Sequence, residues 1–322
     1  MAKDVSAYFE KTVIPLITDK HPDVAAEMTI KVMGSFGLGI ADEFSDLDCI
    51  IYLDDPLWNA QGGHVQLLLE TSLPAFAADG HHWEMNVHPI SWLRDLREFL
   101  NVVPENKAEL PWEELQIEDL HEVQNCLIVR DPKNIFGTLR ETTAPKFFPD
   151  WLWNKLLITR LKDLDETLCE FQRTIRRQNK LEATIFLGSL LEHVLHVGFI
   201  ISREYYPWRK HLRWAFEKLP TPSREALPYI DVAVSEPDMN KKLIALESVW
   251  SIYTKHVAEN NMLPGINIPS EGPEQPWEEL VWAERLKAWS DPDWRNWIIR
   301  CQKRAEDTGH KEHWPIWSLW HW

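Results

Sequence analysis

The feature that most limits how this chain can fold is a change of hydrophobic period near residue 151. Downstream of it, Trp153, Leu157, Leu161, Leu164, Leu168, Phe171 and Ile175 recur every three or four residues over about six turns, the pattern of a long amphipathic helix. Upstream, the runs Met28 to Met33, Leu47 to Leu53 and Trp83 to His88 are short, β-branched or alternating with period two. Helical patterns lie between and around those runs, at roughly 63–77 and 91–101, and an opening helix covers 4–19. That helix stops before His21-Pro22, because a residue ahead of proline avoids the helical region. Further helical patterns cover 180–202, 209–218, 239–260 and 276–306. The expected architecture is an α/β domain with a small mixed sheet over 1–145, then an all-α helical bundle over 151–322. Candidate boundaries are the proline-bearing stretch Thr142 to Pro149 and the loop Leu263 to Pro276.

Composition narrows the classes of partner. With 34 Lys and Arg against 50 Asp and Glu, the formal charge is −16, so the surface is poorly suited to neutralising phosphates and a nucleic-acid partner is disfavoured. The same field favours a cationic small molecule over an anionic one. Cys49, Cys126, Cys169 and Cys301 form no CxxC pair, which suggests reduced thiols rather than a zinc framework or a disulfide scaffold. Charges interrupt the N-terminal segment at Lys3, Asp4, Glu10 and Lys11, and no run approaches 18 uncharged apolar residues. A soluble cytoplasmic protein without a membrane partner is expected.

The chemistry-bearing segment runs from Gly34 to Asp48, GSFGLGIADEFSDLD, between two expected strands. Side chains at i and i+2 of a strand share a face, so Asp46 and Asp48 project together about 7 Å apart. Two such charges closing to about 4 Å repel by roughly 4 kcal/mol at an effective dielectric near 20. The pair is therefore either partly protonated or occupied by a cation, and oxygen-only ligands point to Mg²⁺ or Mn²⁺. Gly34 lets the backbone approach a phosphate, and the Ser35 hydroxyl adds a donor. Ser45 brings a second hydroxyl to the same loop and is a candidate nucleotide contact. The glycines do not fit a dinucleotide or kinase loop, since the spacing differs from GxGxxG and acids follow where a helix should start. A third carboxylate, to hold a second metal or to take a proton, is offered by Glu84, with Asn86 and His88 on the same strand face.

Gly-Ser, ten intervening residues and then Asp-x-Asp before an apolar run resembles the signature of the polymerase-beta-type nucleotidyltransferase superfamily. The fuller string resembles its small-molecule branch, typified by kanamycin nucleotidyltransferase, and Trp83-Glu84-Met85-Asn86 is similar to that branch's third-carboxylate strand. The match spans approximately residues 28–90. It implies a metal-dependent transfer of a nucleoside monophosphate, most often AMP from ATP, to a hydroxyl of a small molecule with release of pyrophosphate. It also implies a helical domain that closes over the nucleotide. In the helical half, Tyr205-Tyr-Pro207-Trp-Arg-Lys210 resembles a Tyr-x-Pro-x-x-Lys segment of helical domains often fused to such catalytic domains, which implies a triphosphate contact for Lys210. Glu192 is the candidate for the general base that some relatives take from their helical domain, although Glu-His-Val-Leu-His departs from the relatives' base motif.

Other readings stay open at this level. The acceptor could be a protein or a tRNA end, as in a toxin–antitoxin pair, or the fold could bind a nucleotide without catalysis. The pairs His81-His82 and His193-x-x-His196 lack a third ligand nearby and are expected to be structural or solvated. Nine of the 18 Trp lie between Trp277 and Trp322, at spacings that suit helix packing. The closing Trp314 to Trp322 run could cover a cleft or make a homo-oligomer contact.

Overall fold

The structure is a computed structural model that describes residues 5–73, 83–100, 112 and 115–263. The Trp-rich C-terminal segment, the helical pattern at 276–306, the pair His81-His82 and Cys301 lie outside the described residues. The chain divides into two compact units, one of Met1–Pro111 with Asp119–Phe147 and one of Trp112–Glu118 with Phe148–Trp322.

The first unit is built on a four-stranded mixed sheet: β1 (Thr29–Val32), β2 (Leu47–Leu53), β3 (Trp83–Pro89) and β4 (Leu127–Arg130), in the order β3-β2-β1-β4. β1 runs antiparallel to β2 and β4, whereas β2 and β3 are parallel. A parallel pair needs a crossover, and the helix Gly63–Ser72 lies within that connection. One face of the sheet is wholly apolar: Ile30, Val32, Leu47, Cys49, Ile51, Leu53, Met85 and Val87 pack in one core with Phe9, Val13, Ile17, Val65 and Leu69. Each large side chain buried there contributes roughly 1.5–3 kcal/mol.

The opening helical segment supplies Phe9, Val13 and Ile17 at intervals of four, one turn apart along one stripe. Its middle, Phe9–Val13, is a π-helical turn, next to the point where Pro15 removes the amide that an α-helix would bond to Lys11. The segment ends at Lys20, before His21, and Pro22 opens the next helix, Pro22–Glu27, at a position where its missing N–H has no helical partner to lose.

Several expectations shift. The strand expected over 28–33 is confined to Thr29–Val32, and the helix expected near 63–77 ends at Ser72. The pattern near 91–101 forms a 3-10 helix, Ile90–Leu100, directly after Pro89. The strand β4 and the helices Ile117–Asn125 and Ile135–Thr142 were not expected from the pattern, because each is about two turns or shorter and too brief to show a period.

The second unit is helical. Asp150–Arg176 and Lys180–Ile201 are joined by a tight turn in which Gln178 takes a left-handed conformation (φ 56°). Asn179 N–H donates to the Thr174 carbonyl (3.0 Å) and Gln178 N–H to Ile175 (2.9 Å), a Schellman ending that satisfies the last carbonyls. Arg203 (φ 54°) ends Lys180–Ile201 the same way, with Glu204 N–H bonded to Phe199 O at 3.0 Å. The expected 209–218 helix is a 3-10 turn, Arg209–His211, followed by Leu212–Phe216. Ser223–Ser235 and Met239–Glu259 complete the unit, the latter capped by Asp238, whose carboxylate accepts from Asn240 N–H at 2.7 Å. A Cβ on Gly198 would meet Phe216 at 2.4 Å and the Tyr253 hydroxyl at 2.8 Å, so only glycine allows this close packing. Lys180–Ile201 is long and apolar enough to cross a membrane by length and composition, and half of its apolar window is buried in the structure. The segment Trp112–Glu118 belongs to this unit through Trp112, which is buried edge-on against Phe148 at 5.6 Å.

Candidate active site

The second face of the sheet is polar at one edge. The register pairs Lys31 with Ile50, and Asp48, Ile50 and Tyr52 with Glu84, Asn86 and His88, so these side chains share the face opposite the apolar core. Asp48 and Glu84 are direct neighbours on parallel strands. Asp46, exposed, stands immediately before β2, whose first residue, Leu47, is buried in the core. Asn86 donates its amide to Glu84 Oε1 at 2.9 Å and fixes that carboxylate along the strand.

The glycine loop closes over the start of β2. Met33 N–H donates to the Asp48 carbonyl at 2.8 Å, and Gly34 turns the chain with φ 59° into the short helix Gly34–Gly37. A Cβ on Gly34 would stand 2.8 Å from Asp48 Oδ2, and one on Gly37 would stand 2.4 Å from the Val32 carbonyl. The first glycine therefore serves both a left-handed backbone and a close approach to a carboxylate. Ser35, half-buried, follows in that turn. The Ser45 hydroxyl donates to Asp42 Oδ1 (2.9 Å) and accepts from Asp42 N–H (2.9 Å), so its hydrogen bonds close the Asp42–Ser45 turn.

The donors at this edge are carboxylate oxygens and one amide, the set a hard divalent cation takes, and Cys49 points into the opposite face. Among the described residues no group of three or more His, Cys, Asp or Glu side chains is drawn together as a metal cage. Magnesium commonly takes one or two protein carboxylates and completes its shell with phosphate oxygens and water, so the Asp46 and Asp48 pair fits it without a third converged ligand.

Sequence reasoning missed one pair that supports this face. Lys31 is buried in the middle of β1, and its ammonium meets Glu122 Oε1 at 2.5 Å with the rings of Tyr52 and Phe136 on either side at 5.8 and 5.7 Å. Burial, the largest influence, pulls the lysine down, but the Glu122 charge and hydrogen bond together with Tyr52 and Cys126 outweigh it and the net shift is upward. In the sequence Lys31 looks like the solvent side of an alternating strand, and nothing marks Glu122, 91 residues away, as its partner. Burial, and then the Lys31 charge, pull the His88 imidazole below its ordinary range.

The other two candidates belong to the helical unit. Glu192 is half-buried, and its two oxygens accept from Arg209 Nε (2.9 Å) and Nη2 (2.7 Å). Lys210 is exposed in the turn Arg209–His211, next to the buried Tyr205-Tyr206-Pro207. Beneath lies a polar cluster in which Arg160 pairs with Asp163 at 3.3 Å and donates to Tyr206, and His196 stacks on Tyr206 at 4.1 Å. Burial, then the Arg160 charge, pull His196 down to about 2, so it is a neutral core histidine at ordinary pH. Burial pushes the Glu118 carboxyl up.

With that geometry in view, residues 112–214 match a family model described as a domain of unknown function, DUF4037. The matched stretch contains Glu118, Arg160, Glu192, His196, Tyr206 and Lys210. No curated protein matches the chain. Among solved structures, a nucleotidyltransferase-like protein from Exiguobacterium sibiricum 255-15 is similar at 10% identity and a TM-score of 0.38, over 78% of each chain.

Proposed function

We propose that the protein is a nucleotidyltransferase that moves a nucleoside monophosphate, in the simplest case AMP from ATP, to a hydroxyl of a small molecule and releases pyrophosphate. The observation that carries this reading is the parallel register that sets Glu84 beside Asp48, with Gly34 held against the Asp48 carboxylate. Asp46 and Asp48, with Glu84 beside them, would hold Mg²⁺ or Mn²⁺. Bound there, the cation supplies charge neutralisation to the triphosphate and to the leaving pyrophosphate.

The rest of the work belongs to the chain itself. Gly34 lets backbone amides come close to the β- and γ-phosphates, and the Ser35 hydroxyl adds a donor. The acceptor oxygen forms a bond to the α-phosphorus while the bond from that phosphorus to the α,β-bridging oxygen breaks, and its electron pair departs with pyrophosphate. The hydroxyl proton passes to the Glu84 carboxylate, held in place by Asn86. Glu84 is the base in this reading because both Glu192 oxygens already accept from Arg209. A formal charge of −16 favours a cationic acceptor.

The test is pyrophosphate release from each of the common nucleoside triphosphates with Mg²⁺, against a panel of hydroxyl-bearing small molecules. Release that depends on one acceptor and disappears in Asp48→Asn supports the reading. Label from an α-labelled nucleotide appearing on protein or tRNA, rather than on a small molecule, would replace the acceptor class.

A further inference from the structure

Four residues beyond Glu84 on the same face of β3, His88 carries a stacked partner: the Trp92 indole lies 4.0 Å away with the two ring planes only 4° apart. At about 3.3 Å per residue the imidazole is about 13 Å along the strand from Glu84. Trp92 is 45% exposed, while nearby Ile50, Tyr52 and Lys31 on the same sheet face are buried. β3 is an edge strand, so this end of the face has no further strand beside it among the described residues. The platform is held from behind: Ser91 N–H donates to Asp55 Oδ1 at 2.9 Å, and the Trp58 indole N–H donates to the Val87 carbonyl at 3.0 Å.

The order of groups along this face is then the glycine loop, the carboxylates, Asn86 and the stacked rings. A nucleoside triphosphate has the same order and a similar reach, with phosphates, ribose and a flat base in sequence. We infer that the His88–Trp92 pair is the stacking platform for the nucleobase of the triphosphate, with Asn86 beneath the ribose. The inference rests on the nucleotidyltransferase reading and deepens it by assigning a base subsite. An indole face stacks on any base, so the subsite tolerates purines and favours the larger ring systems through contact area rather than hydrogen-bond readout.

The test compares binding of ATP and of inorganic tripolyphosphate, both with Mg²⁺, by equilibrium dialysis or calorimetry on the full chain. Trp92→Ala should raise the Kd for ATP by roughly ten- to a hundred-fold, the range found when a base loses an aromatic partner, and leave tripolyphosphate unchanged. Trp92→Phe, which keeps a ring, should recover most of the ATP affinity, and a native circular dichroism spectrum for both variants excludes unfolding as the cause. ATP binding that is equal in wild type and Trp92→Ala, yet lost in Asp48→Asn, overturns the base subsite alone. A parallel loss of ATP and tripolyphosphate in Trp92→Ala also overturns it. Failure of the wild type to bind either ligand overturns the subsite and the nucleotidyltransferase reading together.

Discussion

The two faces of one four-stranded sheet use the same strands for opposite purposes. On one, Ile30, Val32, Leu47, Cys49, Ile51, Leu53, Met85 and Val87 are buried with Phe9, Val13 and Ile17; on the other, Lys31, Asp48, Glu84, Asn86 and His88 occupy alternate positions. A period of two makes this possible, because adjacent residues on a strand never compete for the same environment. The apolar face supplies stability through area removed from water, and the polar face gives up that stability in return for charge held at fixed spacing. Lys31 is the exception, being charged and buried together, and it needs Glu122 to be tolerated there.

That contrast can be broken by substitutions, and the largest effect should come from Asp48→Asn. Pyrophosphate release should fall by roughly a thousand-fold or more, as several kcal/mol of charge stabilisation is withdrawn, while the urea midpoint stays near wild type. A large loss of stability would mean that the polar face is also structural.

Next come two buried residues of opposite character. Phe9→Ala should destabilise by about 3–5 kcal/mol and leave turnover per folded molecule unchanged. Lys31→Met should cost a similar amount, about 3–5 kcal/mol, because Glu122 keeps a half-buried charge without its partner, and Lys31→Met with Glu122→Leu should restore most of it. Lys31 also has a pH signature. Its folded pKa is raised, so its contribution is fully present below the unfolded lysine value of about 10.4 and is lost as pH climbs from there toward the folded value. Chemical denaturation above pH 10 should show a flatter alkaline limb in Lys31→Met than in wild type.

Gly34→Ala should cost less stability than Phe9→Ala or Lys31→Met. A left-handed alanine costs about 1–2 kcal/mol, and its Cβ would press on Asp48 Oδ2. Turnover should fall far more than that stability change accounts for, since the displaced group is the candidate metal ligand. Equal losses in the two would place Gly34 with the fold rather than with the site.

Much of this was legible from residue patterns. The strand Leu47–Leu53 matches its apolar run end to end, and Asp150–Arg176 follows the stripe from Trp153 to Ile175, because long periodic segments bury one continuous face. The carboxylates were found through i, i+2 spacing, a purely local property. Less legible were short elements such as β4, and the Asp42–Ser45 turn that the Ser45 hydroxyl closes. The polar cluster of Arg160, His196 and Tyr206 joins separate stretches of chain; the sequence singles out His196 and Tyr206, each for another reason, and gives no sign of Arg160 or of their meeting.

Taken alone, the sequence determined the two regimes of period, the apolar stripes and the i, i+2 spacing of Asp46 and Asp48, since each depends only on neighbours a few residues apart. Tertiary structure alone decided that Glu84 stands beside Asp48, that Lys31 is buried on Glu122, that Arg209 grips Glu192, and that Trp92 stacks on His88 in the open. Strand register and ion-pair partners are set by which apolar faces close on each other across the fold, and that choice is made over separations the local pattern does not record.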